Sequence, residues 1–156
     1  MSEPNLEIRR LLPTDLNKGF IELLAELSFV DLEFNQTRQA VFDKRIDRNL
    51  TTWVVVDYSP ALEERIVGTC SLLIEQKFIH RGGKVGHLED VVVAKTHQKQ
   101  QIGYLLVKTA LDWAKMQGCY KCILNCHQQV EGFYEKLGFY PDGISMRNDF
   151  YMEYED

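Results

Sequence analysis

The sequence has no long apolar run, and none approaches the roughly 18 residues that suggest a membrane-spanning helix. Its longest apolar stretches, around Trp53–Tyr58 and Val91–Ala94, have the length of strands. The first five residues carry an acid and no signal-peptide core, and the last three are not a Ser-Lys-Leu tripeptide. We therefore expect a soluble cytoplasmic protein without a membrane partner, with organelle import left open.

An excess of basic residues is also missing. The chain of 156 residues has 18 Lys and Arg against 23 Asp and Glu, which gives a net charge of −5. This balance argues against nucleic acid as a general partner. A local basic cluster of His80, Arg81 and Lys84 still has the composition to hold a phosphate group.

Cysteine is scarce, with only Cys70, Cys119, Cys122 and Cys126. The C-x-x-C spacing of Cys119 and Cys122 is found in zinc sites, but such a site takes about four ligands in a loop. Residues 119–126 have instead the pattern of a strand, on which Cys119 and Cys122 point to opposite faces. We therefore predict buried thiols in a reducing compartment and no metal.

No repeat, low-complexity tract or flexible linker divides the chain, so we predict a single domain over residues 1–156. Hydrophobic periodicity predicts an antiparallel meander followed by a β–α–β–α–β tail. The predicted fold class is α/β (α+β), with a mixed central sheet between helices. The predicted strands are 6–12, 51–58, 66–78, 85–94, 119–126 and 145–153, and the predicted helices are 16–27, 36–48, 102–117 and 130–137.

Capping and turn residues mark the ends of several of these elements. Thr14 or Asp15 is the predicted N-cap of the first helix. The segment His80-Arg-Gly-Gly-Lys84 predicts a hairpin turn, because glycine readily adopts positive φ. Gly118 is the predicted stop of the helix over residues 102–117.

The polar segment Gln98–Gly103 joins a predicted strand to the most regular predicted helix. A helix N-terminus offers unpaired N–H groups and the positive end of the helix dipole, which together suit a pyrophosphate. Gly103 in the first turn permits close approach of the backbone. The alternative is a solvated loop, since glycine-containing turns of this kind are common.

A second informative stretch, Gln129–Phe139, carries an aromatic pair on a short predicted helix. Phe133 and Tyr134 either cover the end of the sheet or serve a reaction. In the functional interpretation the hydroxyl group of Tyr134 donates a proton near a leaving group.

Together the two stretches, separated by one helix and one strand, resemble the GNAT superfamily of acetyl-CoA-dependent N-acetyltransferases. The superfamily signature Gln/Arg-x-x-Gly-x-Gly/Ala corresponds to Gln98–Gly103. Within the superfamily the chain is most similar to the glucosamine-6-phosphate N-acetyltransferases, strongly over residues 66–139 and weakly back to Arg9. The matching strings are Lys77-Phe-Ile-His80, Gly86-His-Leu-Glu-Asp-Val-Val-Val93, Gly118-Cys-Tyr-Lys121 and Phe133-Tyr-Glu-Lys-Leu-Gly-Phe139.

The resemblance implies a GNAT fold, in which a parallel pair of strands splays apart within the mixed sheet. It implies transfer of the acetyl group of acetyl-CoA to the 2-amino group of D-glucosamine 6-phosphate, by direct attack in a ternary complex and without a metal. It also implies a step in UDP-N-acetylglucosamine biosynthesis and a homodimer. Two alternatives stay open: a GNAT enzyme for another small amine, and a non-catalytic acyl-CoA-binding module.

The resemblance also implies roles for individual residues. Tyr134 would donate a proton to the departing thiolate, while Glu89 and Asp90 would orient the amine. Acetyl-CoA would bind the backbone of Val91, Val92 and Val93, then Gln98, Lys99, Gln100, Gln101, Ile102, Gly103, Tyr104, Asn125 and Tyr134. The amino sugar phosphate would bind Ser28, Lys77, Phe78, Ile79, His80, Glu89, Asp90, Val91, Tyr120, Lys121 and Arg147.

The chain departs from the family pattern at three positions. Gln101 replaces the central glycine of the signature, so the loop must turn without it. Asn125 replaces a usual acid, and an amide cannot accept a proton. Asp149 stands at the position of a phosphate-binding arginine, which leaves Arg147 as the nearest candidate. By contrast, we predict structural roles for His87 and His97.

Overall fold

The fold is seen in a computed structural model that describes residues 5–30, 38–46, 49–59 and 63–150. The chain forms two compact units, Met1–Leu124 and Asn125–Asp156. In the first unit a five-stranded sheet has the order β1-β2-β3-β4-β5, with β4 and β5 parallel and the other neighbours antiparallel. Its strands are β1 (Leu6–Arg10), β2 (Leu50–Asp57), β3 (Arg65–Gln76), β4 (Lys84–Val93) and β5 (Cys119–Ile123), and its helices are α1 (Phe20–Ala25), α2 (Arg38–Ile46), the single turn α3 (Ile79–Gly82) and α4 (Ile102–Met116).

Helices cover both faces of this sheet, which confirms the predicted fold class. Val54, Val55 and Val56 of β2 are all fully buried, as expected for a strand covered on both sides. Along β3, Cys70 faces α4, because its thiol lies 3.5 Å from the carbonyl oxygen of Leu106. The alternate residues of β3 face α1 and α2 instead.

The first predicted helix is wrong as a continuous element. A 3-10 helix over Pro13–Asn17 is separated from α1 by Gly19, whose φ of 88° no regular helix accommodates. Asp15 is buried and is not an N-cap residue by position. Its carboxylate instead accepts the N–H of Leu12 at 2.7 Å and two hydrogen bonds from the guanidinium of Arg9, at 2.6 and 2.8 Å.

The helix predicted over residues 36–48 is observed as α2, with residues 36–37 and 47–48 outside the described part of the chain. The strand predicted over residues 119–126 ends earlier, at Ile123. Of the four thiols only Cys70 is buried, and Cys126 is exposed, so the prediction of buried thiols is wrong for Cys126. Burial raises the pKa of Cys70 to about 12 and that of Cys122 to about 11, so both thiols favour the protonated form at neutral pH.

The second unit contains a 3-10 helix over Gln128–Val130 and the short helix α5 (Glu131–Glu135). Residues 145–150 form no strand, so the predicted last strand is wrong there, and residues 151–153 lie outside the described chain. A strand needs a hydrogen-bonding partner, and this segment pairs with no strand among the described residues. The apolar side chains of Met146 and Phe150 in this segment, and of Ile144 just before it, are exposed.

Among the residues that the structure describes, no helix is long and apolar enough to span a membrane. Within the same residues, His, Cys, Asp and Glu side chains form no group of three suited to a metal ion.

Candidate active site

A β-bulge interrupts β4 at the two acidic residues. Thr69 of β3 pairs with Val92 and Ser71 pairs with Glu89, so that Asp90 and Val91 together oppose Cys70. Asp90 takes up the extra residue with a φ of 51°. Such a bulge bends the strand and redirects its side chains. Both Glu89 and Asp90 are exposed, so each carboxylate is available to a polar ligand.

Beyond the bulge one edge of β4 has no neighbouring strand among the described residues. β5 pairs with Lys84 to His87, whereas β4 continues to Val93. The predicted splay of the parallel pair is therefore present in the first unit. Val91–Val93 are only half-buried, and their main-chain groups can bind an extended ligand arm as an added strand would.

The N-terminus of α4 packs closely on β3 at Gly68. A Cβ atom at this glycine would lie 2.8 Å from Cγ2 of Ile102 and 3.1 Å from Cδ1 of Leu106. Gly68 is also the β3 partner of Val93. This close approach therefore fixes the first turn of α4 near the end of the free β4 edge.

The loop before α4 turns without the missing glycine of the signature. Lys99 and Gln101 adopt φ values of 69° and 59°, the left-handed region that glycine favours. Gln101 is the N-cap residue, yet its side chain makes no capping hydrogen bond, and the first turn of α4 has no acidic residue. Gln98–Gln101 are exposed. The first turn of α4 is thus suited to an anion.

A buried contact between His97 and Asp57 connects the same loop to β2. The Nε2 atom of His97 lies 2.7 Å from Oδ2 of Asp57, and its Nδ1 atom lies 2.7 Å from the hydroxyl of Thr96. Burial acts to raise the pKa of Asp57, but hydrogen bonds from Ser59 and His97 outweigh it and lower that pKa. His97 therefore has structural partners, in line with its predicted role.

The hairpin between β3 and β4 forms as predicted, but only one of its two glycines, Gly82, has positive φ, and two other residues share that conformation. His80 and Arg81 are left-handed at 49° and 59°, as is Gly82 at 73°, whereas Gly83 is extended at −69°. Gly83 is needed for another reason: a Cβ atom there would lie 2.6 Å from the ring of Tyr120.

The ring of Tyr120 brings predicted sugar-phosphate residues of the β3–β4 turn and of β5 together. The centroids of His80 and Tyr120 are 4.2 Å apart, and the ammonium group of Lys121 lies 5.9 Å from the Tyr120 centroid. The backbone N–H of Lys77 donates to the carbonyl of Gly83 at 2.8 Å. Phe78 and Ile79, on the same turn, are exposed.

Lys77 also has an ionic partner that the sequence analysis missed. Its ammonium group lies 2.8 Å from Oε2 of Glu75, while Oε1 of Glu75 lies 2.9 Å from Nε2 of His87. The two partners, Lys77 first and then His87, lower the pKa of Glu75. The i,i+2 spacing of Glu75 and Lys77 could have indicated their ion pair from the sequence. The contact with His87 could be found only from the register of β3 and β4.

A cavity of about 270 Å³ in the first unit was also missed. Asp90, Ser71 and Arg45 line it beside apolar side chains of α1 and α2. Arg45 donates through Nη2 to the hydroxyl groups of Thr52 and Ser71, at 3.1 and 3.0 Å. No sequence motif marked Arg45, because its position depends on how α2 packs against the sheet.

The remaining predicted residues divide between the two units. Ser28 is exposed just beyond α1 in the first unit. In the second unit Asn125 is exposed, and Tyr134 is half-buried, with its ring 4.9 Å from that of Phe133 and 5.8 Å from that of Phe139. Arg147 is exposed, and its Nε atom lies 2.6 Å from Oδ1 of Asp149.

Known proteins share both the sequence pattern and the fold. The acetyltransferase (GNAT) family profile matches residues 18–139. The chain is 38% identical over 143 residues to a probable glucosamine 6-phosphate N-acetyltransferase 2 of Oryza sativa subsp. japonica, which covers 91% of this chain and 86% of the relative. It is 36% identical over 148 residues to the glucosamine 6-phosphate N-acetyltransferase of Arabidopsis thaliana, covering 92% of this chain and 96% of the relative.

A solved structure agrees with these relatives. The crystal structure of glucosamine-6-phosphate N-acetyltransferase from Arabidopsis thaliana superposes with a TM-score of 0.87 at 34% identity, covering 94% of this chain and 99% of that one. The chain therefore belongs to the GNAT acetyltransferase family.

Proposed function

We propose that the chain transfers the acetyl group of acetyl-CoA to the 2-amino group of D-glucosamine 6-phosphate. Relatives at 36–38% identity over most of the chain carry that activity in their names. The observation that carries the proposal is the free edge of β4, which runs from an acidic bulge to the uncapped N-terminus of α4. An edge of this kind suits an acyl-CoA arm.

In this proposal the cofactor follows the free edge. The N–H groups at the start of α4 and the loop Gln98–Gly103 bind the pyrophosphate. The backbone of Val91–Val93 pairs with the pantetheine arm. This path brings the thioester to the bulge, where Glu89 and Asp90 are exposed.

The sugar phosphate is proposed to lie at the β3–β4 hairpin. Lys77 and Lys121 offer positive charge to the phosphate. His80 offers a ring N–H group, and its ring packs against that of Tyr120. Glu89 and Asp90 orient the amine and accept its proton, directly or through water. Ser28, Phe78, Ile79 and Arg147 complete the proposed substrate contacts.

The reaction is direct attack within a ternary complex. The nitrogen lone pair attacks the carbonyl carbon, an N–C bond forms, and the C–S bond breaks as the amine loses its proton. The CoA thiolate takes a proton from Tyr134. Proximity is expected to provide much of the rate enhancement, because a thioester is already an activated acyl donor. Asn125 contributes hydrogen bonds to acetyl-CoA and no base.

The pathway, the compartment and the oligomeric state belong to the same proposal. The product would be a precursor of UDP-N-acetylglucosamine, and the enzyme would act in the cytoplasm. It would work as a homodimer, which the exposed Ile144, Met146 and Phe150 of the second unit support, because exposed apolar side chains favour burial against a partner.

One observation favours a second candidate substrate class. The cavity that reaches Asp90 is lined mainly by apolar side chains such as Phe20 and Phe42. A small amine with an apolar body would fill it, and its ammonium group would meet the carboxylate of Asp90. The sugar phosphate stays the primary proposal, because this amine would leave the cations at the hairpin without a partner.

A thiol-release assay with acetyl-CoA tests these proposals. We expect turnover with glucosamine 6-phosphate and a lower kcat/KM with glucosamine, because each lost charge-assisted hydrogen bond costs about 1.5–3 kcal/mol. Lys121→Ala should abolish most of this preference, while Lys115→Ala on α4 should not. Equal kcat/KM for the two sugars would reject the phosphate site. Turnover only with 2-phenylethylamine would favour the apolar amine, and CoA binding without turnover of any amine would favour a binding module.

A further inference from the structure

We propose that Glu75 is a positioning residue, which holds the ammonium group of Lys77 ready for the phosphate of the substrate. This inference rests on the proposed function, since it concerns the same phosphate site. Glu75 lies near the end of β3, two residues before Lys77, which follows the last residue of the strand. The contact joins Oε2 of Glu75 to Nζ of Lys77 at 2.8 Å.

The second oxygen of the same carboxylate is held from the neighbouring strand. Glu75 is the register partner of Val85 on β4, so that His87, two residues farther along, is its diagonal neighbour on the same face. Oε1 of Glu75 lies 2.9 Å from Nε2 of His87. Each oxygen therefore has its own partner, and rotation of the carboxylate would break both contacts.

The backbone of Lys77 is fixed as well. Its N–H donates to the carbonyl of Gly83 across the hairpin, at 2.8 Å. Both ends of the lysine are thus held, although its side chain is about one-third exposed. A free lysine on a surface loses much rotamer freedom when it binds a ligand, and this arrangement removes part of that loss before the substrate arrives.

Glu75 leaves Lys77 able to bind an anion. An ammonium group has three N–H donors, and the carboxylate of Glu75 occupies one of them. The remaining two donors can reach a phosphate oxygen. The negative charge of Glu75 also repels an anion. If repulsion dominates, removal of that charge should lower the KM for the phosphorylated sugar, whereas if positioning of Lys77 dominates, its removal should raise that KM.

The experiment compares kcat and KM for glucosamine 6-phosphate and glucosamine in Glu75→Gln, Lys77→Ala and the double variant. We expect Glu75→Gln to raise KM for the phosphorylated sugar about three- to fivefold, the size of an exposed ion pair, with kcat and the KM for glucosamine unchanged. In the Lys77→Ala background Glu75→Gln should have no further effect, because the contribution of Glu75 runs through Lys77.

Conservative and distant variants provide the controls. His87→Gln keeps an N–H donor for Glu75 and should resemble the wild type, whereas His87→Leu should raise the same KM as Glu75→Gln does. Asp112→Asn removes a more exposed ion pair with Lys108 on α4 and should leave KM unchanged. All side chains concerned are partly exposed, so circular dichroism should show folded variants.

The outcomes separate this inference from the proposed function. An unchanged or lower KM in Glu75→Gln would overturn the positioning role, and so would equal effects of Glu75→Gln with and without Lys77. Either result leaves the proposed function standing if the wild type still prefers the phosphorylated sugar. A wild type that does not acetylate glucosamine 6-phosphate would overturn both.

Discussion

The imidazole of His97 and the carboxylate of Asp57 meet at 2.7 Å, although the two residues are 40 positions apart in the chain. Both are buried. The contact joins the loop before α4 to the last residue of β2, while the other carboxylate oxygen of Asp57 accepts the N–H of Ser59 at 2.8 Å. The shape of the proposed pyrophosphate loop therefore depends on a buried hydrogen bond beneath it.

Replacement of Asp57 should disturb that loop. Asp57→Asn keeps the size of the side chain but removes its charge, and we expect a loss of about 1–3 kcal/mol in the free energy of unfolding. CoA binding, measured by calorimetry, should weaken as well. Asp142→Asn, at an exposed position of the second unit, is the matched control and should change neither quantity. Unchanged CoA affinity in Asp57→Asn would show that CoA binding does not depend on the shape of this loop.

The same carboxylate should make stability depend on pH. The folded state lowers the pKa of Asp57 below its ordinary value near 3.9. Its contribution to stability is therefore present above about pH 4, and it is lost as the pH falls through the lower folded-state pKa. Urea unfolding between pH 6 and pH 2.5 should show the difference between wild type and Asp57→Asn shrinking only at the acid end. A constant difference over the whole range would contradict this assignment.

The left-handed backbone conformation of Gln101 is strained. Its φ of 59° costs a residue with a Cβ atom about 1–2 kcal/mol, whereas glycine adopts it freely. Gln101→Gly should therefore raise the free energy of unfolding by about 0.5–1 kcal/mol, after the greater flexibility of glycine in the unfolded chain is subtracted. Gln100→Gly, one residue earlier and without positive φ, should destabilise instead. If both variants destabilise equally, the loop carries no strain at Gln101.

The sequence predicted best those elements whose pattern is local. The helix from Ile102 follows from its regular apolar spacing and from Gly118, which ends it with a φ of 83°. The prediction of one continuous first helix was wrong because the apolar spacing runs across Gly19 without a break. The left-handed backbone of Gly19 begins a new helix there. The prediction of the last strand was wrong for a different reason, because a strand requires a hydrogen-bonding partner that its own sequence does not specify.

The candidate site divides in the same way. Motifs located the loop of Gln101 and the hairpin of His80, because both signatures lie within a few residues. Glu75 and Asp57 were missed, since their contacts with His87 and His97 cross 12 and 40 positions. Cross-strand partners of this kind follow from register, and register was not specified by any local pattern.

The packing of α4 on β3 should be sensitive to one methyl group. In Gly68→Ala the new Cβ atom would lie 2.8 Å from Cγ2 of Ile102, so the start of α4 must shift. We expect a loss of about 1–3 kcal/mol in unfolding free energy together with weaker CoA binding. Gly132→Ala is the control, because nothing lies within 4 Å of its Cβ position; within a helix it should stabilise slightly. Equal stability of wild type and Gly68→Ala would mean that the contact is loose.

Removal of the hydroxyl group of Tyr134 tests the proposed fate of the thiolate. If that group donates a proton only as charge develops on sulfur, Tyr134→Phe should lower kcat with little change in KM for either substrate. General acid catalysis contributes about 10²–10⁴-fold, and a thioester has a good leaving group, so we expect about the lower end. The ring itself is retained, which preserves its contacts with Phe133 and Phe139.

Tyr140→Phe, at an exposed position of the same unit, is the matched control and should keep full kcat. Thermal unfolding should be the same for both variants within a few degrees, because only one hydroxyl is lost in each. The pH profile provides a second readout, since loss of a proton donor should change the alkaline limb of kcat while a packing defect should not. If Tyr134→Phe retains full kcat, water or a backbone N–H group must stabilise the thiolate, and the role proposed for Tyr134 would be wrong even though the chain is an acetyltransferase of this family.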